Sequence, residues 1–194
     1  MAGYGLVPVK ERFGGRQMFT CPAGDGTLLG IGDPVKTGGS ASAIGNGPVC
    51  MEVIRAAATD PIIGVVVGCL QHTVASSSMS LDRIHRPVST GMYLEVYVPS
   101  ERCEFFIESD EDSATFAAAD VGLNCELATV GDASTTTGLS SVQLDISTRA
   151  TTNTLGLQIT GYDESRGPGS SSPNPRVKVR FNQRATIDTG GTGA

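Results

Sequence analysis

The chain has no tryptophan, only two histidines, and aromatic residues at 5% of its 194 positions. So few imidazoles leave little material for histidine-based metal or nucleophilic sites. Charged residues reach only 18%, which argues against a charge-driven disordered tail. No apolar run approaches the roughly 20 residues of a membrane-spanning helix. The longest, residues 62–70 (IIGVVVGCL), is strand-sized and broken by Gly64 and Gly68. The opening MAGYGLVPVKERFGG lacks the apolar centre of a signal peptide, so synthesis in the cytosol is expected. The five cysteines (Cys21, Cys50, Cys69, Cys103 and Cys125) contain no CxxC pair, which excludes a zinc ribbon and a thioredoxin motif. Phosphate loops are unsupported: GxxxxGK[ST] is missing, and Gly24-x-Gly26-x-x-x-Gly30 does not match GxGxxG.

What is present is small and acidic. Glycine occurs 25 times without the period of three that collagen needs. The length fits one domain, or one domain with a long arm. Fourteen basic against twenty acidic residues give a net charge of −6, which speaks against non-specific nucleic-acid binding. Cys50, Cys69 and Cys125 sit among apolar neighbours and read as buried free thiols.

Residues 1–30 carry glycine and proline too often for a helix or a long strand, yet Leu6, Val7, Val9, Phe13, Met18 and Phe19 punctuate them. The expectation is an extended N-terminal arm lying in a groove of its own domain or of a neighbour. A β-rich domain follows over 31–188, and a loose tail, TGGTGA, over 189–194. Strand patterns recur at 62–70, 91–99 (GMYLEVYVP), 104–109 (EFFIES), 122–130, 141–146, 154–162 and 176–182 (RVKVRFN). In 91–99 the alternation puts Met92, Leu94, Val96 and Val98 on one face and Tyr93, Glu95 and Tyr97 on the other, as in a half-buried strand. Only 113–120 (SATFAAAD), preceded by acids, predicts a helix, of about two turns. Residues 37–48 and 73–87 read as loops. The fold expected is all-β: an antiparallel sandwich or barrel, jelly-roll-like, with at most one short helix.

Reactive constellations are weak throughout. His72 and His85 flank or enter a polar loop without a third ligand at suitable spacing. Gly38-Gly39-Ser40-Ala41-Ser42 misses the closing glycine of a nucleophile elbow. Asp110-Glu111-Asp112 lacks EF-hand spacing. No catalytic residue, cofactor or metal site is therefore assigned. On the last strand, alternation places Arg176, Lys178 and Arg180 on one face, either a solubilising edge or a contact for an acidic partner. A β domain rich in small residues, with apolar arm residues and low charge, suits assembly through area and shape.

Several segments, in order, resemble the capsid decoration (cement) proteins of tailed bacteriophages. They are Gly3-Tyr4-Gly5-Leu6-Val7-Pro8-Val9 leading to Gly14-Gly15; Gly32-Asp33-Pro34-Val35-Lys36 with Ile63-Gly64-Val65-Val66-Val67-Gly68-Cys69; Tyr97-Val98, Glu104-Phe105-Phe106-Ile107-Glu108 and Asp120-Val121-Gly122-Leu123-Asn124; and Thr137-Gly138-Leu139-Ser140, Leu144-Asp145, Thr151-Thr152-x-Thr154-Leu155 and Val177-Lys178-Val179-Arg180-Phe181-Asn182. One departure lies in the centre, where 62–93 contains a serine-rich stretch in place of the aromatics the family often has.

The resemblance implies a non-enzymatic virion protein on the outer capsid surface, made in the host cytoplasm. It implies bridging of neighbouring major capsid protein subunits, stabilisation of the expanded head, and homodimers or homotrimers. No nucleic-acid or membrane partner is expected. Leu6, Val7, Val9, Phe13 and Phe19 in the arm, with Arg176, Lys178 and Arg180, are the expected capsid or subunit interface. The alternative is a tail, collar or fibre module binding a host-surface ligand, with 76–86 as the recognition loop.

Overall fold

The computed structural model describes residues 5–9, 14–72, 79–100, 103–110, 114–128, 131–166 and 174–182, the side chains of 71, 72 and 79–82 excepted. Among them strands dominate, and the fold is all-β and, apart from one strand pair and isolated bridges, antiparallel, as expected. The barrel strands are β2 (Gly14–Cys21), β4 (Pro34–Ser42), β5 (Cys50–Arg55), β6 (Gly64–His72) and β9 (Met92–Pro99). They run in the order β4-β5-β2-β9-β6, and a β4–β6 pairing closes the ring. Closure leaves these five strands few open edges. β7 (Met79–Arg83) extends the β6 side as a hairpin, and the short pair β3 (Leu29–Gly30) and β8 (His85–Arg86) lies apart.

A second sheet takes the order β1-β10-β14-β13-β11-β12. Its strands are β1 (Val7–Pro8), β10 (Phe105–Glu108), β11 (Asn124–Ala128), β12 (Gln143–Ala150), β13 (Leu157–Tyr162) and β14 (Arg176–Phe181). A parallel bridge from Ser109 to Leu144 curls the β12 side towards the end of β10.

Two cores follow from this arrangement. The barrel interior holds Phe19, Val35, Val53, Val66, Leu94 and Val96. The larger core lies between the curled sheet and the barrel's outer wall: Phe105, Ile107, Leu144, Ile159, Val177 and Val179 meet Ile62, Val65 and Tyr97. Phe105 stacks on Phe181 at 4.7 Å and meets Tyr97 edge-on at 6.1 Å. β9 therefore lies between two packed layers, which explains why it is not half-buried. Tyr97 enters the larger core, while the Tyr93 hydroxyl donates to Pro48 O at 2.7 Å and accepts from Ile44 N–H at 2.9 Å.

The boundary expected at residue 30 is not a structural one. β2 pairs with β9 over its whole length, from Gly14↔Pro99 to Cys21↔Met92, so the middle of the expected arm, residues 14–21, is a barrel stave. Leu6 is buried in the larger core and donates its N–H to Gly32 O at 2.9 Å. Gly5 makes that entry possible. Its φ is +62°, and a Cβ there would lie 2.5 Å from Gly32 O.

The helix expected over 113–120 is reduced to one 3-10 turn, Ala118–Asp120. Phe116 is drawn into the core against Tyr162, at 5.9 Å between ring centres, and Asp120 Oδ2 accepts the Ala117 N–H at 2.8 Å. Tertiary anchoring thus overrides a weak helical propensity. The expected loop at 37–48 is strand as far as Ser42, carried over an irregular register between Thr37 and Ala41 opposite β5.

The two sheets are joined around Asp33. This buried carboxylate accepts from Ser140 Oγ at 2.5 Å and Gly30 N–H at 2.7 Å. Ile31 N–H bonds to Gly138 O and Ser140 N–H to Ile31 O, both at 2.8 Å. Burial raises the Asp33 pKa above its ordinary 3.8, although the Ser140 and Gly30 hydrogen bonds oppose the shift.

Candidate interaction face

β14 alternates as expected: Val177, Val179 and Phe181 point into the core, and Arg176, Lys178 and Arg180 point outward. It is not an edge strand, however. β10 and β13 flank it, so the three cations stand in the middle of a sheet face. The register decides what stands beside them. Val7 pairs with Phe106 and Phe106 pairs with Lys178, which sets the three side by side on the outer face. Val9 shares Val7's face by the period of two, and its N–H donates to Glu104 O at 2.9 Å.

Phe106 organises this face. The Arg176 guanidinium lies 4.3 Å from its ring centre and the Lys178 ammonium 5.6 Å. Arg176 also reaches Asp163 at 3.9 Å. The Asp163 carboxyl is held below its ordinary range by the Ser165 hydroxyl and N–H, then by Arg176 and Arg166. Neighbouring Glu108, nearly buried, pairs with Arg166 at 2.6 Å. Among the described residues, Lys178 and Arg180 have no carboxylate partner. The result is an aromatic ring under two cations, a third cation on the same strand, and an apolar flank at Val7, which is 37% exposed.

Of the expected interface residues, Val7, Val9, Arg176, Lys178 and Arg180 come together on this face. Leu6 and Phe19 do not: Leu6 fills the larger core and Phe19 the barrel interior, so neither is available for contact. Alternation reverses Leu6 relative to Val7, and β2's place in the barrel turns Phe19 inward. Phe13 lies outside the described residues. Phe106 was missed as a site residue, although alternation within EFFIES already sets it opposite Phe105 and Ile107.

β1 also ends the sheet in a way that discourages strand addition. Val9 N–H faces β10 and Leu6 N–H is taken by Gly32, while Pro8 between them has no N–H. This edge is therefore poorly suited to pairing with another chain.

His85 Nδ1 is buried without a hydrogen-bond partner among the described residues, and the side chain of His72 lies outside them. Among the described residues no three histidine, cysteine, aspartate or glutamate side chains gather into a metal-ligand set. All five cysteines are unpaired thiols. Burial pushes those of Cys21, Cys69 and Cys125 up to about 12, which suits packing rather than nucleophilic use. No protein-family model matches the chain, and comparisons with curated proteins and with solved structures return no match either.

Proposed function

We propose that this protein is a non-enzymatic virion structural protein that binds the outside of a tailed-phage head. There it bridges neighbouring major capsid protein subunits and stabilises the expanded shell, as a homodimer or homotrimer. The observation that carries the reading is the outer face of β14, β10 and β1. On a chain of net charge −6, it sets Arg176 and Lys178 over Phe106, with Arg180 further along the same strand and Val7 beside the ring. Such a face favours an acidic protein surface that also offers apolar contact, and the cations steer and orient the approach. Bridging requires a second contact. The tip of the β4–β5 hairpin, on the other sheet, exposes Val49 at 72% and Met51 at 37%. The ordered resemblance of segments along most of the chain supports the same reading.

The test is binding of purified protein to expanded shells, with its copy number counted against the major capsid protein. The expected result is a ratio near one or a simple fraction of it. The double variant Lys178→Glu/Arg180→Glu is expected to bind at least about tenfold more weakly, and the wild type to weaken as salt rises. Failure to bind expanded shells would overturn the proposal. A ratio of a few per cent would replace it with the tail, collar or fibre reading.

A further inference from the structure

We propose that the cleft between the barrel and the curled sheet is a binding site for a short aliphatic carboxylate, held by Arg55. The cleft encloses about 220 Å³, below the roughly 300–1,000 Å³ of pockets for drug-sized ligands. Its size therefore fits a small acid or one acidic side chain. Ala56, Leu127, Ala128 and Val142 supply apolar walls, and Thr27 and Arg55 supply polar groups. Ala56, Leu127 and Val142 are themselves buried in the larger core, so much of the wall is fixed by packing.

The bonding of Arg55 makes the site chemically specific. Among the described residues only Nη1 is engaged, donating to Gly131 O and Asp132 Oδ1, both at 3.2 Å. Nε and Nη2 have no partner among the described residues. Those two nitrogens form the side-on fork of a guanidinium, whose parallel N–H bonds match the two oxygens of a carboxylate. Asp132 engages Nη1, and no described residue takes the Nε/Nη2 fork. The Arg55 side chain is 23% exposed, so a small solute has access to it. Apolar walls around a pre-oriented fork select a ligand with a short alkyl body and an anionic head.

The chemistry has two possible sources, a free acid or a glutamate side chain of a partner. Butyrate and N-acetyl-glutamate N-methylamide are the probes, and butylammonium and chloride the controls. Amide resonances of Ala56, Ala128 and Gly131 are followed as each is added to the full-length protein. Saturable shifts with butyrate alone indicate a free acid; saturable shifts with both acids indicate a partner's side chain. Arg55→Gln is expected to weaken binding at least about tenfold, and Arg55→Lys by less. Asp132→Asn keeps the acceptor for Nη1 and removes the competing charge, so it is expected to tighten binding. If Arg55→Gln fails to fold, Arg55→Lys and Asp132→Asn carry the test. Absence of saturable shifts with either acid, equal binding of butylammonium or chloride, or unchanged affinity in Arg55→Gln would overturn the proposal. None of these outcomes bears on capsid binding.

Discussion

Replacing Arg86 by methionine removes a buried charge while keeping much of its aliphatic bulk. The wild-type side chain is 0% exposed. Its Nε donates to Thr90 O at 2.8 Å, and its Nη2 donates to Pro22 O at 2.7 Å and Asp25 O at 2.8 Å. Nη1 donates to Thr27 O and reaches Asp25 Oδ2 at 3.4 Å. One guanidinium thus ties the segment after β2 to the turn between β8 and β9. The substitution strips the carbonyls of Thr27 and Thr90 of the guanidinium, each worth about 1–3 kcal/mol if it stays dry, and leaves Asp25 without its cation, while Pro22 O and Asp25 O keep the N–H groups of Asp25 and Ser89. Water entry and relaxation recover part of that sum. The expected net loss is about 3–5 kcal/mol, the usual cost of breaking a buried charged network from one side. For a domain of this size the melting temperature should fall by about 6–20 °C. Urea unfolding with an unchanged m-value measures the loss directly. Asp25→Asn is the control. It weakens one long ion pair but leaves the carbonyl bonds intact, so it should cost less than about 1.5 kcal/mol. An Arg86→Met loss below about 1 kcal/mol, or an equal loss from Asp25→Asn, would refute the reasoning.

Three further outcomes follow from the same geometry. Burial raises the Asp33 pKa, so the native state binds more protons there than the unfolded chain. This contribution is full below the unfolded value near 3.9 and is lost as pH rises through the folded pKa. Asp33→Asn, which can still accept from Gly30 and donate to Ser140, should flatten that fall in urea melts from about pH 4 to pH 7; an unchanged slope would remove Asp33 as its source. Cys50, half-buried, should be the thiol modified first by a disulfide reagent in the native protein, with Cys21, Cys69, Cys103 and Cys125 reacting only on unfolding; early labelling of Cys69 or Cys125 would contradict the packing described. Gly5→Ala places a Cβ 2.5 Å from Gly32 O at a positive φ and should destabilise by about 1–3 kcal/mol in thermal melts, whereas wild-type stability would mean that Leu6 does not enter the core as described.

Local pattern was enough for the strands whose two faces differ. β14 follows from RVKVRFN because a period of two sorts apolar from charged residues wherever one face packs and the other meets water. The same pattern put Arg176, Lys178 and Arg180 together without knowledge of any neighbour. Pattern misled where a strand is covered on both sides, as at Tyr93 and Tyr97, since alternation records polarity and not the number of layers.

The all-β class, the burial of the Cys69 and Cys125 thiols and the shared direction of the three cations were thus determined by the sequence alone, whereas Cys50, read as buried, is half-buried at the start of β5. Tertiary structure decided the rest. Gly14–Cys21 is a barrel stave because β5 and β9 accept it, and no residue within it says so. Phe106 lies under Arg176 and Lys178 because the β10–β14 register sets residues 72 positions apart side by side. Arg86 and Asp33 are buried because distant backbone groups and Ser140 satisfy them. Strand pairing joins residues far apart in the chain, so register and closure depend on the free energy of the whole assembly, to which a local window of sequence is blind.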